Sequence, residues 1–343
     1  MQYTVFGAGA IGGTVGAYMV RGGESVLFVD RDDDHVRAMQ QHGLTIKGFA
    51  ETFTVPVEAT TPEALPDRLQ TVLLATKAPA TQAAVESFAD RLAPDGCIVS
   101  LQNGLNELTI ARLVGDQRTI GAFVNFSADY LEPGLIHFAG PGAFYIGELD
   151  GSITPRLLDL RKALAHWGDV QVTDNIWGFL WGKQAYGAML FATALTNDSM
   201  ADAIDRHRQV MVDLAREVLR VAAALNIRPL GFDGFEPDAV GSSDSAVVNA
   251  SLERLIAVRH RDQKTHSGVW RDLAVRKRRT EVDAHFRPII EYAQRLALAV
   301  PLLERMVAMI HEIEDGRRPL DRSNLEELAE ARSAPEPALK AAT

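Results

Sequence analysis

Short apolar runs alternate with segments of helical spacing through the first third of the chain. Each run has the length of a buried strand, and a segment with a spaced apolar face follows it. The predicted strands are Tyr3–Gly7, Ser25–Asp30, Thr71–Thr76 and Cys97–Leu101, and the predicted helices are Ile11–Arg21, Asp34–Gln41 and Thr81–Leu92. This order predicts an α/β structure, a mostly parallel sheet with helices on both faces.

The pattern changes twice further along the chain. Leu44–Lys47 and Phe53–Val57 alternate apolar and polar residues, which predicts two antiparallel strands, and Ile120–Gly147 predicts several short strands separated by glycine and proline. From about Thr154 onward, long amphipathic segments predict helices. These helices are Met200–Leu225, Ser251–His260, Arg276–Ala299 and Leu302–Asp315.

Composition narrows the class of protein. The formal net charge is −10, and an acidic chain without a basic stripe is a poor match for nucleic acid. We find no apolar run long enough for a membrane span and no resemblance to a signal peptide, so we expect a cytoplasmic protein. The single cysteine, Cys97, lies in an apolar run and predicts a buried thiol. The scattered histidines predict no metal site.

A glycine-rich segment between the first strand and the first helix gives the strongest local signal. It reads Gly7-Ala8-Gly9-Ala10-Ile11-Gly12, with glycines in the spacing of a dinucleotide-binding turn. The first glycine permits the tight turn, the second lets a pyrophosphate approach, and the third lets the helix pack on the strand. We therefore predict an N-terminal Rossmann dinucleotide-binding domain over 1–170, an all-helical domain over 171–330 and a disordered tail over 331–343.

The second predicted strand ends in an acid, Asp30. A carboxylate at this position accepts hydrogen bonds from the adenosine ribose and repels a 2′-phosphate, which favours NAD(H). Arg31 follows at once and leaves NADP(H) open as the alternative, because a guanidinium can bind that phosphate.

Four polar side chains are candidates for the chemistry. Lys77 and Asn103 each follow a predicted strand, at the sheet edge where open α/β sheets bind ligands, although a surface cation and an ordinary turn are the plainer interpretations. Lys183 lies among tryptophans and a phenylalanine, where its head either reaches the surface or faces a cleft. Glu281 would form a simple ion pair with Lys277 if both lay on one helix.

Taken in order, these motifs resemble the ketopantoate reductase (2-dehydropantoate 2-reductase) family. The matching segments are Gly7–Gly12, Thr76-Lys77-Ala78, Gln102-Asn103-Gly104-Leu105-Asn106, Ile136–Gly140, Trp181-Gly182-Lys183 and Arg279-Thr280-Glu281-Val282-Asp283. The resemblance implies reduction of a branched 2-keto acid with a nicotinamide cofactor, usually NADPH, and a helical domain that closes over the Rossmann cleft. It implies that Lys183 is the general acid, that Glu281 binds substrate or relays a proton, and that Lys77 and Asn103 line the site.

The sequence departs from that family where the substrate binds. Family members that make pantoate carry asparagines one and two helical turns after the lysine, whereas this chain has Gly187 and Phe191. The family's serine is matched only loosely, by Ser267. We therefore expect a related 2-keto or 2-hydroxy acid that is larger or less polar than ketopantoate, in a pocket that Phe191, Trp181 and Trp270 could line.

Residues and resemblance together give the following site. We assign catalysis to Lys183, Glu281 and Asn103, substrate binding to Lys183, Ser267 and Glu281, and cofactor binding to Gly7, Ala8, Gly9, Ala10, Ile11, Gly12, Asp30, Arg31, Lys77 and Asn103. Two alternatives stay open: a dehydrogenase that works in the oxidative direction, and a non-catalytic dinucleotide sensor. The apolar helices also leave a homodimer possible.

Overall fold

The computed structural model describes residues 2–261 and 264–331. These residues fall into two compact units, divided between Trp177 and Gly178. The predicted domain boundary after residue 170 falls earlier than this division, because residues 170–172 still form a strand of the sheet. Most of the predicted tail, residues 332–343, lies outside the described residues.

The strands of the first unit form one mixed sheet. They are β1 Gln2–Phe6, β2 Ser25–Val29, β3 Leu44–Lys47, β4 Thr52–Val55, β5 Glu58–Thr60, β6 Leu69–Leu74, β7 Leu92–Ser100, β8 Thr119–Glu132, β9 Leu135–Glu148 and β10 Val170–Val172. The predicted antiparallel pairing near residue 50 is confirmed, since β3 pairs antiparallel with β4.

Six strands of this sheet are parallel and lie in the order β5-β2-β1-β6-β7-β8. Counted among the parallel strands alone, that order is third, second, first, fourth, fifth, sixth, which is the order of a Rossmann domain. The predicted Rossmann fold is therefore confirmed. The strand order reverses direction between β1 and β6, and ligands of open α/β sheets bind at such a point, outside the carboxyl ends of the strands.

Helices cover both faces of the parallel strands. They are α1 Ala10–Arg21, α2 Asp33–His42, α3 Thr81–Glu86, α4 Glu107–Val114 and α5 Pro155–Leu164. Neighbouring residues of one strand enter different cores: Phe28 packs in one cluster, and Leu27 and Val29 pack in the other. Strands buried on both faces explain why the sequence shows continuous apolar runs there.

Cys97 lies in β7, where it is buried and free of disulfide bonding, as predicted. Its thiol lies 3.9 Å from the Thr71 hydroxyl. Burial raises the pKa of the Cys97 thiol.

Two predicted elements of the first unit are wrong in extent. The helix predicted for Thr81–Leu92 ends at Glu86, because residues 89–91 form a 3₁₀ turn and Leu92 begins β7. The short strands predicted within Ile120–Gly147 are instead two long strands, β8 and β9, that form a hairpin. Pro133-Gly134 makes its turn, whereas Pro141 lies at an irregularity of β9, where an edge or bulge tolerates proline.

The second unit is helical, as predicted. Its helices are α6 Ile176–Thr193, which begins in the first unit, α7 Met200–Arg206, α8 Arg208–Ala224, α9 Pro237–Gly241, α10 Ser245–Arg261, α11 Gly268–Trp270, α12 Val282–Arg295, α13 Pro301–Glu314 and α14 Ser323–Glu330. In the described residues, no helix combines the length and the apolar character that a membrane span requires.

Two helix predictions in this unit need correction. The segment Met200–Leu225 is two helices, because His207 leaves the helical conformation with φ −117° and ψ 36°. The helix predicted from Arg276 begins only at Val282, since Lys277 has a positive φ of 50°. Lys277 and Glu281 therefore do not share a helix, and the intrahelical ion pair considered for them is wrong.

Candidate active site

The glycine-rich turn lies between β1 and α1, at the reversal of strand order. Gly7 has φ +98°, and a Cβ there would lie 2.7 Å from the Thr76 amide nitrogen. A Cβ on Gly12 would lie 2.2 Å from the Gly7 carbonyl oxygen, so this glycine is needed for close packing. A Cβ on Gly9 would have no neighbour within 4 Å, which leaves open space beside the backbone. These three environments fit a turn that receives a dinucleotide pyrophosphate.

Asp30 follows β2 and contacts this turn directly. Its Oδ2 accepts the Ala8 N–H at 2.8 Å, and its Oδ1 accepts the Asp32 N–H at 3.1 Å. The carboxylate is therefore held beside the turn, at the position where a Rossmann domain binds the adenosine ribose. Arg31 is the adjacent residue and is exposed.

Lys77 and Asn103 follow the neighbouring strands β6 and β7, so both lie at the carboxyl edge of the sheet. A buried amide, Gln102, links the two loops by donating to the Thr76 carbonyl oxygen and to the Thr81 hydroxyl, each at 2.8 Å. Asn106 donates to the Asn103 carbonyl oxygen at 2.6 Å.

Gln102 and Asn106 belong to a segment that resembles the family, but no role was predicted for them from the sequence. Their position inside the same short motif as Asn103 was the available signal. The structure makes them the support of the loops that carry Lys77 and Asn103.

Lys183 lies on α6, a helix that is apolar on nearly every side. Between residues 178 and 196, only Lys183, Gly187 and Leu190 are less than fully buried. Their spacing of four and three residues places them on one face of the helix. A Cβ on Gly187 would meet nothing within 4 Å, so open space lies one turn after the lysine.

The first turn of α12 packs beside this face. The His285 Nδ1 lies 2.9 Å from the Gln184 Oε1, and its ring centroid lies 5.0 Å from that of Phe191. Glu281 is the residue that begins α12, and the His285 N–H donates to its carbonyl oxygen at 3.1 Å. The structure thus brings the segment of Glu281 to the helix of Lys183. His285 was missed because an isolated histidine has no sequence signal.

A buried carboxylate holds the chain on the N-terminal side of Glu281. The Glu314 Oε1 accepts both the Thr280 N–H and the Thr280 hydroxyl at 2.7 Å. The imidazole of His311 lies between two carboxylates, with Nδ1 2.8 Å from the Glu314 Oε2 and Nε2 3.1 Å from the Asp283 Oδ1. Thr280, Asp283, His311 and Glu314 therefore form a clamp around Glu281. His311 and Glu314 lie about 30 residues further along the chain, and no sequence pattern connects them to Glu281.

The clamp predicts a pH-dependent stability. Burial disfavours the charged form of His311, but the hydrogen bonds to Glu314 and Asp283 outweigh burial and raise its pKa. Its contribution is complete below the unfolded pKa of about 6.5 and is lost as pH rises through the higher folded pKa. We expect His311→Gln to unfold at lower urea concentration than wild type at pH 6, with a smaller difference at pH 9. The clamp would be contradicted if wild type and His311→Gln differed equally in urea midpoint at both pH values. It would also be contradicted if Asp283→Asn left the pH dependence of that difference unchanged.

Ser267, Trp270 and Trp181, which the sequence also proposed for the site, have contacts of their own within the helical unit. The hydroxyl of Ser267 accepts the Trp270 N–H and begins α11, and the indole N–H of Trp270 contacts Asn197. Asn197 lies beyond the end of α6, and Lys183 precedes that end by about 15 Å along the helix axis. Trp181 is a core residue that packs against Tyr292.

Comparison with known families covers most of the chain. Residues 3–151 match the family described as ketopantoate reductase PanE/ApbA, and residues 175–314 match the C-terminal domain described for the same proteins. The 2-dehydropantoate 2-reductase of Pyrococcus horikoshii is 28% identical over 306 residues, which cover 88% of this chain and 94% of that protein.

Two solved structures are similar over the same length. A PanE/ApbA family ketopantoate reductase from Ralstonia eutropha JMP134 has 26% identity and a TM-score of 0.77, covering 92% of this chain and 99% of its own. D-mandelate dehydrogenase with NADH and anilino(oxo)acetate has a TM-score of 0.78 with the same coverage, but only 20% identity. The second likeness concerns the fold alone.

Proposed function

Because the chain belongs to the ketopantoate reductase family, we propose that it interconverts 2-oxo and 2-hydroxy acids that are larger and less polar than ketopantoate, with NAD(H) as cofactor. The protein is an oxidoreductase that acts on CH–OH groups with a nicotinamide cofactor. The observation that carries the proposed substrate class is the partly exposed face of α6, where Lys183 is followed one helical turn later by Gly187, which has no side chain.

Lys183 has the chemistry for the proton transfer. In reduction its ammonium donates a proton to the substrate oxygen as negative charge develops there, and in oxidation the neutral amine accepts that proton. Glu281 holds the substrate or relays the proton, and Asn103 orients the reacting groups from the edge of the sheet. A bound nicotinamide supplies the hydride in reduction and accepts it in oxidation.

The residues after Lys183 favour an apolar substituent on the acid. Gly187 leaves space and offers no side-chain hydrogen bond, and Phe191 presents a ring already packed against His285 and Phe286. Without a side-chain donor at positions 187 and 191, a substrate hydroxyl in this part of the site would lose its bound water without gaining a new partner. D-mandelate dehydrogenase, with anilino(oxo)acetate bound, is an example of this fold with an aromatic acid.

A substrate panel tests the proposal. We expect kcat/KM with NADH to be higher for phenylglyoxylate and phenylpyruvate than for ketopantoate. The corresponding 2-hydroxy acids, assayed with NAD, report the oxidative direction. The highest efficiency on ketopantoate would overturn the proposed substrate, whereas cofactor binding without turnover on any acid would favour the non-catalytic sensor.

Asp30 carries the cofactor prediction. We expect Asp30→Asn to lower the preference for NADH over NADPH, measured as the ratio of kcat/KM values, by about 10-fold, because the substitution removes a charge that repels a 2′-phosphate while an amide oxygen can still accept the Ala8 N–H. Asp33→Asn is the matched control, since it removes an equal charge from the exposed first turn of α2. A wild-type preference for NADPH would contradict the role of Asp30 and favour Arg31 as a phosphate ligand.

The cytoplasmic location and the homodimer stay predictions from the sequence. Cell fractionation and sedimentation analysis would test them.

A further inference from the structure

We propose that His35 is a positioning residue of the dinucleotide site, whose neutral imidazole aims the Gly9 N–H toward the pyrophosphate. This inference rests on the proposed cofactor site but not on the identity of the substrate. His35 lies on α2, is only 1% exposed, and contacts the glycine-rich turn through its imidazole. Nothing in the glycine motif itself predicts such a partner, because the histidine follows 27 residues after the turn.

Two hydrogen bonds hold the imidazole in place. The Gly134 N–H donates to Nδ1 at 2.9 Å, and Nε2 lies 2.9 Å from the Ala8 carbonyl oxygen. Because Nδ1 accepts a hydrogen bond from the Gly134 N–H, the ring proton of a neutral imidazole lies on Nε2, which therefore donates to the Ala8 carbonyl oxygen. The turn of the β8–β9 hairpin thus selects the tautomer that binds the glycine-rich turn.

The contact with Ala8 determines the direction of the next amide. In a trans peptide the C=O and the following N–H point in opposite directions. Since the Ala8 C=O points to His35, the Gly9 N–H points away from α2. A Cβ on Gly9 would enter open space, so the backbone at this residue is accessible to a ligand.

Asp30 completes the arrangement from the other side of Ala8. It accepts the Ala8 N–H, while His35 donates to the Ala8 C=O, so both peptide groups of this residue are anchored. The ring of Tyr130 lies edge-on to the imidazole at 5.0 Å and covers it. The turn is therefore set in one conformation before a cofactor arrives, which lowers the entropy that binding must remove.

Three substitutions separate positioning from packing. His35→Gln places an amide nitrogen near the position of Nε2 and can still donate to the Ala8 carbonyl oxygen. His35→Asn places an amide oxygen near the position of Nδ1, so it can still accept the Gly134 N–H but cannot reach Ala8. His35→Phe keeps an aromatic ring and removes both hydrogen bonds. Dissociation constants for NADH, measured by fluorescence titration, are compared with kcat at saturating NADH and with the midpoint of thermal unfolding.

We expect His35→Gln to bind NADH within threefold of wild type, and His35→Asn to bind at least 10-fold more weakly, with kcat at saturation within threefold in both. Exposed His42→Gln, on the same helix, is the matched control and keeps wild-type affinity. If His35→Asn and His35→Gln bind NADH equally, or if affinity follows the unfolding midpoints across the series, the role is structural and the proposal is overturned. Wild-type protein that binds neither NADH nor NADPH would contradict the proposed cofactor site instead. The Gln and Asn pair decides the question even if the Phe variant does not fold.

Discussion

Lys183→Ala is expected to lower kcat by about 10³-fold, since general acid catalysis contributes roughly 10²–10⁴-fold to such reactions. Alanine leaves the substrate oxygen without a proton donor as charge develops on it. Residues 178–196 contain no Lys or Arg other than Lys183. A neighbouring residue of the same helix therefore cannot replace the lysine as proton donor. Stopped-flow measurement of NADH oxidation with saturating phenylglyoxylate would report the chemical step.

Two further variants distinguish a proton donor from a charge. Lys183→Arg keeps the positive charge but does not release a proton in the working pH range, so it should lose kcat while it keeps much of the substrate affinity. Lys162→Ala removes an exposed lysine of the first unit and should have no effect. If Lys183→Ala keeps its rate, the assignment of the proton donor is wrong.

Gly187→Asn is expected to move the substrate preference toward ketopantoate, by about 100-fold in the ratio of kcat/KM values. A site that offers a hydrogen bond to a substrate hydroxyl discriminates strongly in its favour. The asparagine at 187 fits the fold, because its Cβ would meet nothing within 4 Å. The measurement is kcat/KM for ketopantoate and for phenylglyoxylate.

Leu190→Asn is the matched control, because it places the same amide on the same face of α6. An equal change of preference in that variant would show that polarity alone, and not the position after Lys183, determines the specificity. Phe191→Asn by itself is a poorer test, since removing a buried aromatic ring costs several kcal/mol of stability, about 3–5 in comparable cores.

The parallel core of the first unit could be predicted because each strand is buried on both faces and is followed by a glycine or polar turn. The register of the strands and the length of the β8–β9 hairpin could not be predicted from the sequence. Pro141 and Gly142 indicate a break in the sequence, yet β9 continues past them, because a local irregularity accommodates the proline and β9 pairs with β8 on both sides of it. Tertiary pairing overrides the local turn preference there.

The helical unit illustrates the opposite error. The sequence predicts one helix over Arg276–Ala299, but the clamp around Glu281 replaces its first turns. Glu314 accepts the Thr280 N–H, which in an α-helix would bond to a backbone carbonyl oxygen. The local sequence pattern around Thr280 does not indicate a partner that lies so far along the chain. The same reasoning applies to the site. Residues inside a motif, such as Lys77 and Asp30, could be proposed from the sequence, whereas His35, His285 and His311 make contacts that only the folded chain shows.

The buried thiol of Cys97 gives the protein a single internal reporter of its own opening. Thiolates, and not thiols, react with alkylating reagents, and both the burial and the raised pKa of Cys97 suppress that form in the closed sheet. Labelling therefore requires that β7 separate from its neighbours, so its rate measures how often the centre of the dinucleotide-binding sheet opens. Because the chain has no second cysteine, every labelled molecule records that one event. A bound cofactor that stabilises the sheet would slow the labelling of Cys97, and at a given cofactor concentration the effect would be larger for a cofactor of higher affinity.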